Sequence, residues 1–272
     1  MAPQVMGIVN VTPDSFSDGG RFSALERAID HAMGLVADGA DILDIGGEST
    51  RPGAQPVGVA EEIDRVVPLI EAVRARWAGP ISIDTMKPEV ARAAVEAGAG
   101  IWNDVSALGF SPDSLRVAPE LGCTVALMHM QGEPRTMQAA PVYEDVVSEV
   151  ATYLTGRAEA AMAAGVARDR IWLDPGIGFG KTVDHNLALT TGLEALTATG
   201  FPVLYGASRK RTISAIDPTA TDPMDRLGGS LALALEAARR GATVIRVHDV
   251  RQTVQALKVQ AALICQETPK RS

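Results

Sequence analysis

The amino-acid sequence predicts a barrel of eight parallel strands, each followed by a helix. Eight short apolar runs rich in Val and Ile recur along the chain, and a segment with helical periodicity follows each of them. The runs are almost continuously apolar, which is typical of parallel strands buried on both faces. Eight such units in about 250 residues match the size of a (β/α)₈ barrel. A doubly wound open sheet, which also alternates strands and helices, is the alternative.

The predicted strands follow one another at regular intervals along the whole chain. In order they are Val5–Val11, Asp41–Gly47, Ile81–Thr85, Ile101–Ala107, Cys123–Met130, Ile171–Gly176, Pro202–Ser208 and Thr243–Asp249. No linker, charge run or low-complexity segment interrupts this alternation. We therefore expect residues 1–272 to form a single domain.

The segments between the strands carry apolar stripes that would pack on the sheet. In the first segment the stripe recurs at steps of four, three and four residues, and in the last at three, four and three. These stripes are Leu25, Ile29, Ala32 and Val36, and Val254, Leu257, Ala261 and Ile264. Six glycines fall just beyond helical segments, where a left-handed residue ends a helix at little cost. They are Gly39, Gly98, Gly122, Gly165, Gly200 and Gly241.

Isolated polar residues mark the carboxyl ends of six predicted strands. They are Asn10, Asp84, Asn103, His129, Asp174 and His248, and Arg246 adds a second polar residue to the last strand. A barrel gathers the carboxyl ends of its strands around one pocket, so this placement favours the barrel over the open sheet. His129 is equally consistent with a hydrogen-bonded histidine of the core.

Two charged segments indicate an anionic or polar ligand. Arg246 and His248 lie two residues apart on one strand and therefore point to the same side, which is typical of an anion site if that side is the barrel interior. Three consecutive cations, Arg209–Arg211, repel one another unless at least one faces such a ligand. The glycine-rich segment Asp174–Thr182 is not a Walker A loop, because Pro175 stands where that motif needs glycine.

The overall composition argues against several classes of partner. With 33 acidic and 25 basic residues the net charge is −8 and the pI is about 5.1. A chain of this charge lacks the basic field that nucleic-acid and anionic-membrane binders use. We expect a cytoplasmic protein, because there is no secretory signal or membrane-spanning run and the two cysteines are too few for a disulfide framework. Both cysteines, Cys123 and Cys265, are expected to be buried.

Seven motifs together resemble one family, the bacterial dihydropteroate synthases. In that family's order and spacing they are MGIVNVTPDSFSDGG (Met6–Gly20), DIGGESTRPG (Asp44–Gly53), SIDT (Ser82–Thr85), NDVSA (Asn103–Ala107), DPGIGFGKT (Asp174–Thr182), GASRKR (Gly206–Arg211) and IRVHDV (Ile245–Val250). The resemblance implies a transferase of folate biosynthesis. Such an enzyme joins 6-hydroxymethyl-7,8-dihydropterin diphosphate to p-aminobenzoate, forming 7,8-dihydropteroate and releasing diphosphate.

The resemblance also implies where the pterin and the leaving group bind. Residues matching those that hydrogen-bond the pterin are Asp84, Asn103, Asp174 and Lys210, and those lining its slot are Val105, Met128, Phe179 and Gly206. The diphosphate would lie on Asn10, Thr50, Arg51, Arg246 and His248. Magnesium would bridge the diphosphate oxygens, with Asn10 and Asp18 as its protein ligands, because Mg²⁺ needs few protein ligands beside substrate phosphates.

The resemblance further implies that the first two strand-to-helix loops complete the binding site for p-aminobenzoate. The residues assigned to it are Phe16, Ser17, Pro52 and Arg211, and Arg211 stands where several family members have serine. In the family the carbon–oxygen bond is thought to break first, leaving a pterin-methyl cation that the neutral arylamine captures. Asp14 or Asp18 would stabilise that cation, and Arg51 and Lys210 complete the catalytic set.

Sulfonamides share the anilino group of p-aminobenzoate and are therefore expected inhibitors. A homodimer is expected from the family. Two other functions remain alternatives: a methyltetrahydrofolate-binding methyltransferase, which has no diphosphate to bind, and a catalytically inactive pterin-binding paralogue.

Overall fold

Eight parallel strands form one sheet that closes on itself in the computed structural model, which describes residues 2–11, 21–49, 55–132, 137 and 140–267. The strands are β1 (Gln4–Asn10), β2 (Ile42–Gly46), β3 (Ile81–Asp84), β4 (Ile101–Asp104), β5 (Thr124–Met128), β6 (Ile171–Asp174), β7 (Leu204–Tyr205) and β8 (Val244–Val247). The sheet order is β6-β5-β4-β3-β2-β1-β8-β7, and a parallel bridge between Leu173 and Val203 joins the two edge strands. The predicted (β/α)₈ barrel is confirmed, since an open sheet has no such closure.

Helices follow the strands and cover the outside of the barrel. Within the described residues they are α1 (Arg21–Ala37), α2 (Val59–Arg74), α3 (Pro88–Glu96), α4 (Ser114–Leu121), α5 (Val146–Ala163), α6 (Val183–Thr191), α7 (Glu194–Thr197), α8 (Arg211–Ile216), α9 (Leu227–Arg239) and α10 (Val250–Glu267). Short 3₁₀ turns precede β6 and α9. Among these helices none is long and apolar enough to cross a bilayer.

The six glycines predicted to follow helical segments all adopt positive φ, between 59° and 117°. This conformation lets the chain leave each helix and turn toward the next strand. The prediction that both cysteines are buried is wrong for Cys265. Cys123 is buried, whereas Cys265 lies in the last turns of α10, where residues 262–266 are exposed.

Strand β4 ends three residues earlier than predicted, at Asp104. Ala107 and Leu108 take positive φ of 53° and 60°, which no strand residue adopts. The Asp104 carboxylate holds this turn, because it accepts hydrogen bonds from the backbone N–H of Ser106 at 2.7 Å and of Leu108 at 2.8 Å. Burial raises the pKa of Asp104 to about 6, although these hydrogen bonds oppose the rise.

A layer of apolar side chains fills the amino-terminal end of the barrel interior. It consists of Met6, Ile42, Ile101, Ala126, Leu204 and Val244, with Trp172 packed against them. A second and larger core lies between the strands and the surrounding helices. Side chains alternate along a strand, so the residue two positions after each interior residue also points inward, one layer nearer the carboxyl ends. This register decides which side chains form the site.

Candidate active site

The next layer of interior residues contains polar side chains and borders a cleft at the carboxyl ends of the strands. The interior residues Ile101, Trp172 and Val244 are followed two positions later by Asn103, Asp174 and Arg246. The cleft measures about 340 Å³ when the open solvent at its mouth is included. It is lined by Asp84, Asn103, Val105, Met128, Asp174, Gly176, Ile177, Phe179, Gly206, Lys210 and Arg246. All eight residues predicted to contact or line a pterin stand together here.

Arg246 is bound to two carboxylates across the barrel interior. Its Nε donates to Oδ2 of Asp44 and its Nη2 to Oδ2 of Asp84, each at 2.6 Å. Asn103 Nδ2 also donates to Asp44 Oδ2, at 3.2 Å. Asp44 is fully buried and was not assigned a role from the sequence. The alternation of side chains along β2 could have indicated it, since Asp44 follows the interior residue Ile42 by two positions.

The two carboxylates change the electrostatics expected of this site. Burial alone would lower the pKa of Arg246, but the attraction of Asp44 and Asp84 outweighs it and raises that pKa. Burial raises the pKa of Asp84 to about 7; Arg246 lowers it, and the nearby Asp44 charge raises it. The positive charge expected to bind an anion is therefore already balanced inside the barrel. Asp84 can hold a proton near neutral pH.

Asp174 ends β6 and begins the glycine-rich loop. Its Oδ1 accepts a hydrogen bond from Gly176 N–H at 2.7 Å, which leaves Oδ2 for a ligand. Burial raises the Asp174 pKa to about 6, against the Gly176 hydrogen bond and the charges of Lys210 and Arg246. Gly176 has φ of 67°, and a Cβ there would lie 1.9 Å from the His129 carbonyl oxygen. Only glycine fits this close approach.

The three consecutive cations that follow β7 have separate environments. Lys210 lines the cleft, and its Nζ lies 4.1 Å from the centre of the Phe179 ring. Arg209 takes φ of 58° and donates to both carboxylate oxygens of Asp249, at 3.0 and 2.6 Å. Arg211, the first residue of α8, is exposed. The structure thus brings one of the three into the cleft wall.

His248 and Asn10 lie at the carboxyl ends of β8 and β1. His248 Nδ1 is 3.0 Å from Ser208 Oγ, which also accepts from the His248 backbone N–H at 3.2 Å. Asn10 is half-buried and pairs in register with Gly46 of the neighbouring strand. The remaining predicted residues lie outside the described part of the chain: Asp14, Phe16, Ser17, Asp18, Thr50, Arg51 and Pro52.

The donor set in the described residues fits magnesium only as a partner of a phosphate-bearing substrate. No cluster of three or more His, Cys, Asp or Glu side chains among these residues could hold a metal ion by itself. Asn10, the last residue of β1, carries one hard carbonyl oxygen. That is what Mg²⁺ requires when substrate oxygens supply most of its shell.

His129 is buried beneath the glycine-rich loop and is bound to a lysine that the sequence did not single out as a site residue. Lys181 Nζ lies 2.9 Å from His129 Nδ1, and both side chains are buried. Burial lowers the pKa of His129 to about 3, and the Lys181 charge adds to the effect. His129 is therefore neutral, with the environment of a hydrogen-bonded core histidine.

A second buried lysine lies beside the loop that follows β2. Lys87 Nζ is 2.6 Å from Glu48 Oε2 and 2.5 Å from Glu62 Oε2. Glu48 Oε1 also accepts from the Val57 backbone N–H at 2.9 Å. This network joins α2 and the start of α3 to Glu48. No local sequence pattern indicated it, because its members are far apart in the chain.

The chain belongs to the family of pterin binding enzymes, which matches residues 6–248. Over 269 residues it is 48% identical to the dihydropteroate synthase of Escherichia coli K12, covering 99% of this chain and 94% of that relative. A structure of Xanthomonas albilineans dihydropteroate synthase with 4-aminobenzoic acid matches with a TM-score of 0.91 and 51% identity, covering 98% of this chain and 94% of that one. A Yersinia pestis dihydropteroate synthase in complex with a sulfonamide drug matches with a TM-score of 0.91 and 44% identity, covering 97% and 95%. The predicted membership of the dihydropteroate synthase family is confirmed.

Proposed function

We propose that the chain is a transferase that joins 6-hydroxymethyl-7,8-dihydropterin diphosphate to p-aminobenzoate, and that the pterin ring binds in the barrel cleft. The assignment of the cleft to the pterin rests on its pattern of polar groups around an apolar slot. Asp84, Asn103 and Asp174, whose side chains carry carboxyl and amide oxygens, line the same space as Met128 and Phe179. A pterin has N–H and amino donors along its ring edges, and such acceptors pair with them.

Lys210 supplies the complementary donor. Its ammonium lies over the Phe179 ring at the cleft wall, so it can donate to a carbonyl or ring-nitrogen acceptor of the pterin while remaining in contact with that ring. Asp174 Oδ1 is held by Gly176, so the carboxylate plane is fixed before the ligand arrives. A site fixed in this way loses little conformational freedom on binding.

The diphosphate would lie toward the rim formed by Asn10 and His248, with Thr50 and Arg51 closing over it. When the carbon–oxygen bond breaks, its electron pair stays on the diphosphate oxygen, and the arylamine nitrogen then bonds to the pterin methylene carbon and loses a proton. Magnesium held by Asn10, Asp18 and the diphosphate would neutralise charge on the leaving group. An arylamine is neutral at pH 7, so this reaction needs no general base to activate it.

The second substrate is assigned to Phe16, Ser17, Pro52 and Arg211, and Asp14 or Asp18 to stabilising the cation. Arg211 is exposed at the start of α8, one residue after Lys210, and its guanidinium can bind a carboxylate. Sulfonamides would occupy the same position as p-aminobenzoate. A homodimer and a cytoplasmic location remain predictions from the sequence.

Diphosphate release tests this function against its alternatives. The chain is incubated with the pterin diphosphate and magnesium, with and without p-aminobenzoate, and 7,8-dihydropteroate is followed by mass spectrometry. Release that depends on p-aminobenzoate, with one dihydropteroate formed per diphosphate, is expected. Pterin binding without release would indicate an inactive paralogue. In a parallel incubation with methyltetrahydrofolate and a corrinoid, transfer of the methyl group to the corrinoid would indicate the methyltransferase.

Two variants link the reaction to the cleft. Lys210→Met is expected to lower kcat/KM by at least about tenfold, since a hydrogen bond to a charged group contributes about 1.5–3 kcal/mol. Arg168→Met is the matched control, because its cation lies over Phe201, outside the cleft. Equal activities of the two variants would contradict the placement of the pterin.

A further inference from the structure

Lys181 is a buried lysine that, among the described residues, donates to Phe179 in the cleft wall and to His129 behind it. Its Nζ lies 2.9 Å from the Phe179 carbonyl oxygen, 3.2 Å from the His129 carbonyl oxygen and 2.9 Å from His129 Nδ1. An ammonium group has three donors, and these are three acceptors. Lys181 is only 3% exposed, so these contacts are closed to solvent.

These contacts connect the end of β5 to the loop that carries Phe179. His129 follows β5, and Phe179 lies in the loop between β6 and α6. Two neighbouring contacts hold the same loop: Asn186 Oδ1 accepts from Gly178 N–H, and the Tyr143 hydroxyl donates to the Gly180 carbonyl, each at 2.8 Å. Lys181 donates to the carbonyl of Phe179 itself, whose backbone N–H donates to the Gly176 carbonyl at 3.0 Å and whose ring lies under Lys210 Nζ.

The connection does not depend on the charge of the lysine. Burial lowers the pKa of Lys181 to about 7; Asp174 opposes this and Lys210 adds to it. As an ammonium, Lys181 donates to both carbonyls and to Nδ1 of neutral His129. As a neutral amine it can still donate to both carbonyls and accept from Nδ1–H of the other His129 tautomer.

We propose that Lys181 is a positioning residue for the pterin, which fixes the Phe179 backbone and thereby the ring and the Lys210 ammonium without touching the substrate. This inference rests on the proposed function, because it assumes that the pterin binds against Phe179. Removing Lys181 would leave the Phe179 and His129 carbonyls without this donor, so Phe179 could shift even though Gly178 and Gly180 keep their contacts. Weaker pterin binding is the expected result, and it should appear only while the Phe179 ring is present.

A double-mutant cycle with Phe179 separates this role from general stabilisation. Dissociation constants for 6-hydroxymethyl-7,8-dihydropterin are measured by calorimetry for the wild type, Lys181→Met, Phe179→Ala and the double variant. Lys181→Met is expected to weaken binding about tenfold alone and by less than about twofold in the Phe179→Ala background. The tenfold effect should be the same at pH 6 and pH 8.5.

A matched control removes a comparable cation from the opposite end of the barrel. Arg74 donates to the carbonyls of Gly98 and Gly79, which precede the amino ends of β4 and β3. Arg74→Met should lower the thermal stability but leave the pterin affinity unchanged. Asn186→Leu removes the acceptor of the Gly178 N–H while Lys181 stays in place. If Lys181→Met does not fold, the double-mutant cycle with Phe179→Ala is measured with Asn186→Leu instead.

Some outcomes would overturn the proposed function, and others only the role of Lys181. No pterin binding by the wild type would overturn the proposed function together with this inference. Wild-type binding with an unchanged Lys181→Met affinity would overturn the inference alone. So would a loss that is equally large in the Phe179→Ala background, a loss that disappears above pH 7, or an equal loss in Arg74→Met.

Discussion

Asparagine in place of Asp174 is expected to weaken pterin binding while leaving the loop in place. The amide oxygen can still accept from Gly176 N–H, which lies 2.7 Å from Oδ1. The amide nitrogen then faces the ligand as a donor where a ring N–H or amino group also donates. At least one buried group is left unpaired, which costs about 1–3 kcal/mol, so Kd is expected to rise by at least about 5- to 150-fold.

The same substitution is expected to stabilise the ligand-free chain at alkaline pH. The Asp174 pKa is raised from 3.8 to about 6, so the folded state holds this proton to a higher pH than the unfolded state does. The raised pKa therefore costs stability as the pH rises through 6, by up to about 3 kcal/mol. Asparagine removes that cost because it does not ionise.

Calorimetry with 6-hydroxymethyl-7,8-dihydropterin and urea unfolding at pH 5 and pH 8 measure the two effects. Weaker binding together with greater stability at pH 8 assigns Asp174 to the ligand. An unchanged pterin affinity would refute the assignment, and weaker binding with lower stability at both pH values would show that Asp174 mainly holds the loop.

Three further substitutions in the same site have distinct expected effects on stability and binding. Arg246→Ala leaves Asp44 and Asp84 without their cation, so unfolding should become about 3–5 kcal/mol easier. The uncovered carboxylates would repel an anion, so affinity for free diphosphate should fall more than affinity for the uncharged pterin alcohol. Equal losses would show that Arg246 acts only on the fold or on the ring. Gly176→Ala should lower stability by at least about 2 kcal/mol, because its Cβ would meet the His129 carbonyl oxygen at 1.9 Å. Gly58→Ala is the control, because a Cβ at Gly58 has nothing within 4 Å. Equal melting temperatures of the two variants would contradict the close approach of Gly176 to His129. The Asp84 pKa is raised from 3.8 to about 7, so its contribution to stability is present below pH 4 and is lost as the pH rises through 7. The free energy of urea unfolding of Asp84→Asn should therefore vary less between pH 5 and pH 8 than that of the wild type. Parallel pH profiles of the two proteins would contradict the raised pKa of Asp84.

Burial explains why the barrel and most of its cleft could be predicted from the sequence. Strands covered on both faces must be apolar, so an isolated Asp84 or Asn103 at a strand end is conspicuous. The barrel topology then places such ends together without any knowledge of contacts. The predicted cleft residues were therefore found around one cavity, although their roles toward a ligand remain predictions.

The contacts that tune the site could not be predicted, because they join distant positions. Arg246 and Asp44 are 202 residues apart, and only closure of the sheet brings them together. Lys181 and His129 are 52 residues apart, so a local reading could not decide whether His129 was a site residue or a core residue. The same holds for Arg209, whose partner Asp249 lies 40 residues away.

A crystal structure with the pterin diphosphate substrate or its pterin product bound would show whether the ring occupies the barrel cleft. The ring is expected to lie there with its donors on Asp174, Asp84 and Asn103 and its face against Phe179. Lys181 is expected to keep its contacts with the Phe179 and His129 carbonyls. A ring bound anywhere else, with the cleft empty, would contradict the assignment of the site.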